Sequence, residues 1–283
     1  MNPLVLARWN RRRLSVGLLV ALILFAVFGA TGCNKLRARD WLNKGVQAYK
    51  NGQFDTAIED FKQAKDLDPG LLNARLYLAT AYASQFIPGA PSEENVRKGQ
   101  QAINEFQEVL AVDPNNISAI DGIGSILFQM SGAPFTPAKI EESRSYHLKH
   151  IGLKPGDPEP YYWVGYIDWT LSYRANTDMR AEYNRSNPKK QVKDDQPLPP
   201  KVREEYATKY GSMVDQGIAM LKKAIELRPE YDEAVGMLNL ILRRKADMVE
   251  SPQERADLLK QADALVERSK EIRQKRIEAP AKI

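Results

Sequence analysis

The sequence predicts an all-α fold, a tandem array of helical hairpins, on three observations. First, one pattern of offsets, apolar in three of its four copies, recurs ahead of four prolines. Ala57, Phe61, Ala64 and Leu67 stand 12, 8, 5 and 2 residues before Pro69, one per helical turn along a single face. The same offsets hold Ala102, Phe106, Val109 and Val112 before Pro114, and Ser143, His147, His150 and Leu153 before Pro155. Before Pro229 they hold Gly217, Leu221, Ala224 and Leu227. Second, a matching half follows each proline: Ala74, Leu78, Ala79 and Tyr82; Ala119, Ile123, Gly124 and Leu127; Ala234, Leu238, Asn239 and Leu242; and, more loosely, Pro160, Val164, Gly165 and Asp168. Third, the prolines lie 45, 41 and 74 residues apart while the offsets on both sides persist. The extra residues therefore fall inside hairpins, between their two helices, and leave the register intact.

Trp41, Gly45, Ala57, Phe61 and Pro69 carry the first unit. Their types and spacings resemble the tetratricopeptide family, whose unit of about 34 residues is a helix-turn-helix with a W-x2-L-G-x2-Y…A-x3-F…P pattern. Lys44 stands at the Leu position of that pattern and Ala48 at the Tyr position, with Tyr49 beside it. The resemblance covers residues 38–242. It implies an α-α superhelix, the tetratricopeptide solenoid, over 38–250, with about five hairpins and a long insertion in the fourth. A charged final helix and tail, 251–283, would cap the last repeat, since a repeat array needs a polar outer face at its end.

Ahead of the array, residues 1–32 read as a targeting segment. Arg8, Arg11, Arg12 and Arg13 precede the apolar run LSVGLLVALILFAVFGA, and Ala30-Thr31-Gly32 lead into Cys33. A charged head, an apolar stretch and small residues at the cut are the export-signal layout. Small residues directly before a lone cysteine resemble the bacterial lipoprotein signal, which implies lipidation of Cys33 at the mature N-terminus. The alternative is an uncleaved anchor, since residues 14–30 reach the lower edge of the roughly 17–25 that span a bilayer. Both keep the arginines inside and carry the body across the membrane, which places it in the cell envelope, on the periplasmic side in a Gram-negative cell. Residues 33–37 are expected as a polar tether. Cys33 is the single cysteine, so no internal disulfide forms.

The formal charge of +5 is mostly that head. Setting aside its four arginines leaves 37 of the 41 basic residues against 36 acidic ones, and they interleave. No basic face of the kind nucleic acid requires is present, so no nucleic-acid partner is expected. At 43% hydrophobic residues the chain can bury a core of its own.

Each insertion carries its own signals. In IPGAPSEENVRKG, Ser92 is placed to cap a helix running through Leu110. In SGAPFTP, Thr136 and Pro137 form a cap and first-turn pair. The third insertion, 172–213, has few branched aliphatics and the Pro-rich stretch QPLPP. Its flanks continue as helix, 161 to about 185 and 200–227, which predicts a projecting hairpin tipped by a loop over 186–199; a flexible surface loop is the other reading. Ser251-Pro252-Gln253-Glu254 is a capping box for the last helix.

Residues for catalysis are scarce. The histidines are His147 and His150, at the places of Phe61 and Ala64 in the first repeat, where packing between helices is the expected role. Three apart on a helix they could share a metal, but no third ligand is offered. Gly122-x-Gly124 lacks the third glycine of a phosphate loop. No enzyme, metal or cofactor is expected.

The resemblance implies binding on the concave surface lined by the first helix of each hairpin. By register the candidates include Leu42, Val46 and Tyr49; Leu76, Thr80 and Ala83; Asp121, Ser125 and Phe128; and Tyr162, Tyr166 and Trp169. The last three lie at i, i+4 and i+7, one stripe of aromatics. The stripe either stands open as an anchor for a partner or packs against the 172–213 hairpin. Some family members clamp a C-terminal carboxylate with Lys and Asn in the first repeats; Leu42 and Val46 hold those places here, which argues against a clamp. The expected function is a lipid-anchored scaffold binding an unidentified envelope protein. Its alternatives are a receptor for a glycan, lipid or cell-wall fragment, and an architectural subunit of an outer-membrane assembly or secretion complex.

Overall fold

The computed structural model describes residues 33–132 and 135–278. They form helices α1 (residues 33–50), α2 (Phe54–Leu67), α3 (Leu72–Gln85), α4 (Glu93–Val112), α5 (Ile117–Met130), α6 (Pro137–Leu153), α7 (Pro158–Ser186), α8 (Pro200–Leu227), α9 (Asp232–Ala246) and α10 (Pro252–Glu278). Among the described residues there is no strand, only an isolated bridge between Gly132 and Phe135. The fold is all-α, as the periodicity predicts. The residues expected as an export signal, 1–32, lie outside the described ones. Residues 33–37, expected as a tether, are instead helical, as part of α1; no glycine or proline stands between Cys33 and Gly45 to stop a helix. Among the described residues no helix is long and apolar enough to cross a membrane.

The chain forms two compact units, divided after Gly122. In the first, α1 and α2 are joined through Gly52, whose φ of 74° is one that side chains resist. Close approach of helices follows from a small residue facing a large one. A Cβ on Gly45 would come 2.5 Å from the Phe61 ring, so glycine is what lets α1 and α2 meet there. Phe61 is fully buried and stacks on Tyr77 of α3 at 5.6 Å. One repeat later Phe106 meets Gly122, where a Cβ would sit 2.4 Å from the ring. Lys65 and Arg75 both pair with Glu105, at 2.6 and 3.1 Å, tying α2 and α3 to α4. The first insertion is ordered by Asn95, which accepts from the Ile87 N–H and donates to the Ile87 and Ala90 carbonyls. Ser92 Oγ caps α4 by accepting from the Asn95 N–H at 3.2 Å.

In the second unit the same pairing rule recurs with different residues. A Cβ on Gly124 would approach His147 Nε2 to 3.0 Å, and one on Gly165 would strike Leu221 Cγ at 2.4 Å. His147 thus packs where Phe61 packs, and its ring stacks on Trp163 at 5.5 Å and 7°, matching Phe61 on Tyr77. The main core gathers Tyr206, Val214, Leu221, Val235, Leu238 and Ile241 from α8 and α9. The long insertion is ordered by polar contacts instead of a core of its own. Arg180 is 4% exposed and donates to the Lys193 and Gln196 carbonyls at 2.6 and 3.1 Å. Asn184 bonds Val192 in both directions, and Leu198 is buried. The loop after α7 therefore folds back along that helix and does not stand off as a bare tip. Asn176, between Asp247 and Arg244 at 3.2 and 3.0 Å, fastens α7 to the end of α9. Pro252 opens α10 behind Ser251, whose Oγ accepts from the Glu254 N–H. Only Ala262, Ser269 and Ile272 of α10 are buried, so it covers α9 with one stripe and turns a charged face outward.

Candidate functional site: an aromatic ladder on the seventh helix

Asp157 caps α7 by accepting from the Glu159 N–H at 3.0 Å, with Pro158 at the first helical position. Twenty-nine residues then run without an internal glycine cluster or proline break. Tyr161, Val164, Gly165, Asp168, Leu171 and Ser172 are buried. Beside that face, Tyr162, Tyr166, Trp169 and Tyr173 fall at i, i+4, i+7 and i+11, so their rings stack one above the next.

The distances confirm a continuous ladder. Tyr231 lies 5.2 Å from Tyr162, Tyr162 lies 6.0 Å from Tyr166, Tyr166 lies 5.9 Å from Trp169, and Trp169 stacks on Tyr173 at 5.1 Å. Offset and edge contacts of this range suit the ring quadrupole. Phe128 of α5 buttresses the ladder, edge-on to Tyr166 at 5.2 Å and to Trp163 at 5.8 Å. Tyr162, Tyr166 and Trp169 pack one side on the main core and stay partly accessible, and Tyr173 is 47% exposed. The alternatives of open stripe and packed stripe resolve into both: a half-buried row whose outer edges remain open. A cavity of about 310 Å³ adjoins the Tyr162 and Tyr231 end, rimmed by Glu159, Arg228 and Glu233.

The cations lying over the row are each paired with a carboxylate. Arg228 lies over the Tyr231 ring and pairs with Glu159 at 3.5 Å. Arg244 lies over Tyr173 and pairs with Asp247 at 3.3 Å. Asp168, fully buried, receives Arg144 Nε at 2.7 Å; burial raises its carboxyl to about 6, against the pull of Arg144. Burial, then neighbouring Tyr166, pushes the Tyr162 hydroxyl up to about 12, so it keeps its proton. His147 is lowered to about 4 by burial and then by His150, which holds its ring neutral at physiological pH. Among the described residues no three His, Cys, Asp or Glu side chains are grouped to hold a metal.

The other sequence candidates lie elsewhere. Tyr49, Leu76 and Thr80 belong to the first unit. Tyr49 shares a 2.8 Å hydrogen bond with Ser84 and packs edge-on to Phe54. Thr80 Oγ1 donates to the Leu76 carbonyl of its own helix. These polar groups are engaged locally, and no comparable row forms from them. In the second unit Phe128, Tyr162, Tyr166 and Trp169 come together. Tyr173 was missing from the sequence reading, although the i+11 step continues the same stripe. Trp163 also has a sequence signal, since it stands eight residues after Pro155, as Tyr77 does after Pro69. Tyr231 joins from the N-cap of α9 and no local period marks it. Cys33 is exposed with a free thiol.

Set against known proteins, residues 38–71 match the tetratricopeptide repeat family, the stretch that holds Trp41, Gly45, Phe61 and Pro69. The chain contains a tetratricopeptide repeat, and solved structures extend the likeness well beyond it. The crystal structure of MamA protein superposes with a TM-score of 0.54 at 15% identity, covering 83% of this chain and 94% of that one. MamA 41-end from Desulfovibrio magneticus RS-1 gives 0.52 at 17% identity, over 82% of this chain and 96% of that one. YrrB, described as a TPR protein with an unusual peptide-binding site, gives 0.51 at 13% identity, over 84% and 91%. At these identities the likeness shows a shared fold. No curated protein matches the sequence.

Proposed function

We propose that this protein is a non-catalytic scaffold that binds a protein partner along the α7 ladder, held at the extracytoplasmic side of a membrane by a lipid on Cys33. The carrying observation is the ladder itself. Five aromatic rings follow one another in series, with Tyr231 buried and the edges of Tyr162, Tyr166, Trp169 and Tyr173 accessible, and such surfaces supply large contact area at low conformational cost. The fold supports a binding role, since tetratricopeptide proteins are generally interaction scaffolds, and YrrB is described as binding peptides. The anchor rests on the arginine head, the apolar run and the small residues ahead of Cys33; an uncleaved helix is the alternative anchor.

Two experiments test the reading. A photocrosslinking residue placed at Tyr173 in cells should trap a partner that Tyr166→Ala with Trp169→Ala abolishes; a crosslink indifferent to those changes would move the site elsewhere. Mass analysis of the mature N-terminus should show an acylated Cys33, and an intact Met1 or an unmodified Cys33 would remove the lipid from the proposal.

A further inference from the structure

We infer that the segment the ladder receives is proline-rich and extended, in the polyproline II conformation; the inference rests on the binding reading above and specifies its partner class. The hydroxyls of Tyr162, Tyr166 and Tyr173 and the indole N–H of Trp169 have no hydrogen-bond partner among the described residues. The row is therefore apolar on its ring faces and rich in donors at its edges.

Charge complementarity narrows the occupant. The two cations that lie over ladder rings are matched inside the molecule, Arg228 with Glu159 at 3.5 Å and Arg244 with Asp247 at 3.3 Å. An acidic tail would have to displace Glu159 or Asp247 from those cations and would meet Glu230 and Glu233 at the Tyr162 end, and a basic tail would face Arg228 and Arg244, so a neutral ligand fits best. A helical peptide would arrive with its carbonyls already bonded and leave the donors unmet. A glycan presents many hydroxyl donors that need acceptors; between Tyr162 and Tyr173 the one carboxylate, Asp168, is buried against Arg144, and the others, Glu159, Glu230 and Glu233, are gathered at the Tyr162 end alone. A proline-rich strand fits on every count. It lacks N–H groups, its carbonyls are unpaired acceptors, its rings lie flat on aromatics, and it is already stiff before binding. The lengths agree as well. Tyr162 to Tyr173 spans about 16 Å of helix, which about five residues of polyproline II cover at ~3.1 Å each.

The test is calorimetric titration of the full chain with capped decaproline, a glycine–serine peptide of equal length, and chitotetraose. Decaproline should bind saturably and at least about tenfold more tightly than the glycine–serine peptide. Tyr166→Phe and Trp169→Phe keep a ring and delete a donor, and each should weaken decaproline about fivefold, the worth of one hydrogen bond. Thermal melts of both variants check that they fold like the parent. Equal affinity for glycine–serine, no change in either Phe variant, or binding of chitotetraose without decaproline would each overturn the inference. Decaproline failing while the Tyr173 crosslink to a protein persists refutes the partner class alone. Failure of both refutes the ladder as a binding face.

Discussion

Phe61 and His147 occupy the same place in the first and third copies of one motif, and they solve the same packing problem with unlike chemistry. Each lies against a glycine of the preceding helix and stacks on an aromatic of the following one, Gly45 and Tyr77 for Phe61, Gly124 and Trp163 for His147. Phe61 fills its site with hydrocarbon. His147 fills it with a ring whose Nδ1 and Nε2 are both buried without a hydrogen bond, a desolvation cost that Phe61 does not carry. Register fixes where a large side chain must go, then, and leaves its polarity open. In the second unit the adjoining position, Trp163, leads into the ladder; in the first, Tyr77 stands by itself, stacked on Phe61 and 42% exposed.

The comparison can be broken by substitution, and the largest effect is expected from Phe61→Ala. Removing a fully buried ring should cost about 3–5 kcal/mol, measured by denaturant unfolding; a loss below 1 kcal/mol would mean the motif is not what holds the first unit. The glycines come next. Gly165→Ala drives a Cβ into Leu221 at 2.4 Å, whereas Gly124→Ala meets the His147 ring at 3.0 Å. The first should cost about 1–3 kcal/mol by overpacking and the second less, and reversal of that order would contradict the packing described.

The histidine itself gives a pH test. Its folded value of about 4 lies below the usual 6.5, so the unfolded chain binds the extra proton and stability falls as pH drops from 6.5 towards 4. The full loss is about 3 kcal/mol at about 1.4 kcal/mol per tenfold in proton affinity. Asp168 works the other way. Its folded value of about 6 exceeds the usual 3.8, so lowering the pH from 7 towards 4 relieves its burial cost. His147→Phe should remove the acid loss, expose the opposite slope of Asp168, and raise stability at neutral pH by about 1–3 kcal/mol. Urea melts at pH 5 and 7.5 read both effects, and an unchanged pH slope would mean His147 is solvated after all. The smallest effect is expected at the exposed Lys62 and Glu59 pair, 2.8 Å apart. Lys62→Ala should change stability by less than about 0.5 kcal/mol, and a larger change would mark an unseen role for that surface.

Helix order was legible because the prolines punctuate it. Pro69, Pro114, Pro155 and Pro229 each stop one helix, and the residues eight before them, Phe61, Phe106, His147 and Leu221, are all buried, whereas those two before them are not core: Val112 is 68% exposed and Leu153 36%, at helix ends that the turn leaves uncovered. The stripe of Tyr162, Tyr166 and Trp169 was legible for the same reason, being a single-helix period. The order of the long insertion was not, since composition gave a Pro-bearing polar segment and nothing local names Arg180 as the group that gathers its carbonyls.

By itself, then, the sequence determined the all-α class, the register of the hairpins and the helix that carries the aromatics, because period and punctuation are properties of neighbours along the chain. Tertiary structure alone decided that Tyr231, capping α9, extends the ladder, that Asn176 and Asp247 meet across 71 residues, and that the row is half covered. Those outcomes depend on which surfaces of distant helices come to lie together. That is set by the size of the residues between them, such as Gly165 against Leu221, and by no pattern readable within one helix.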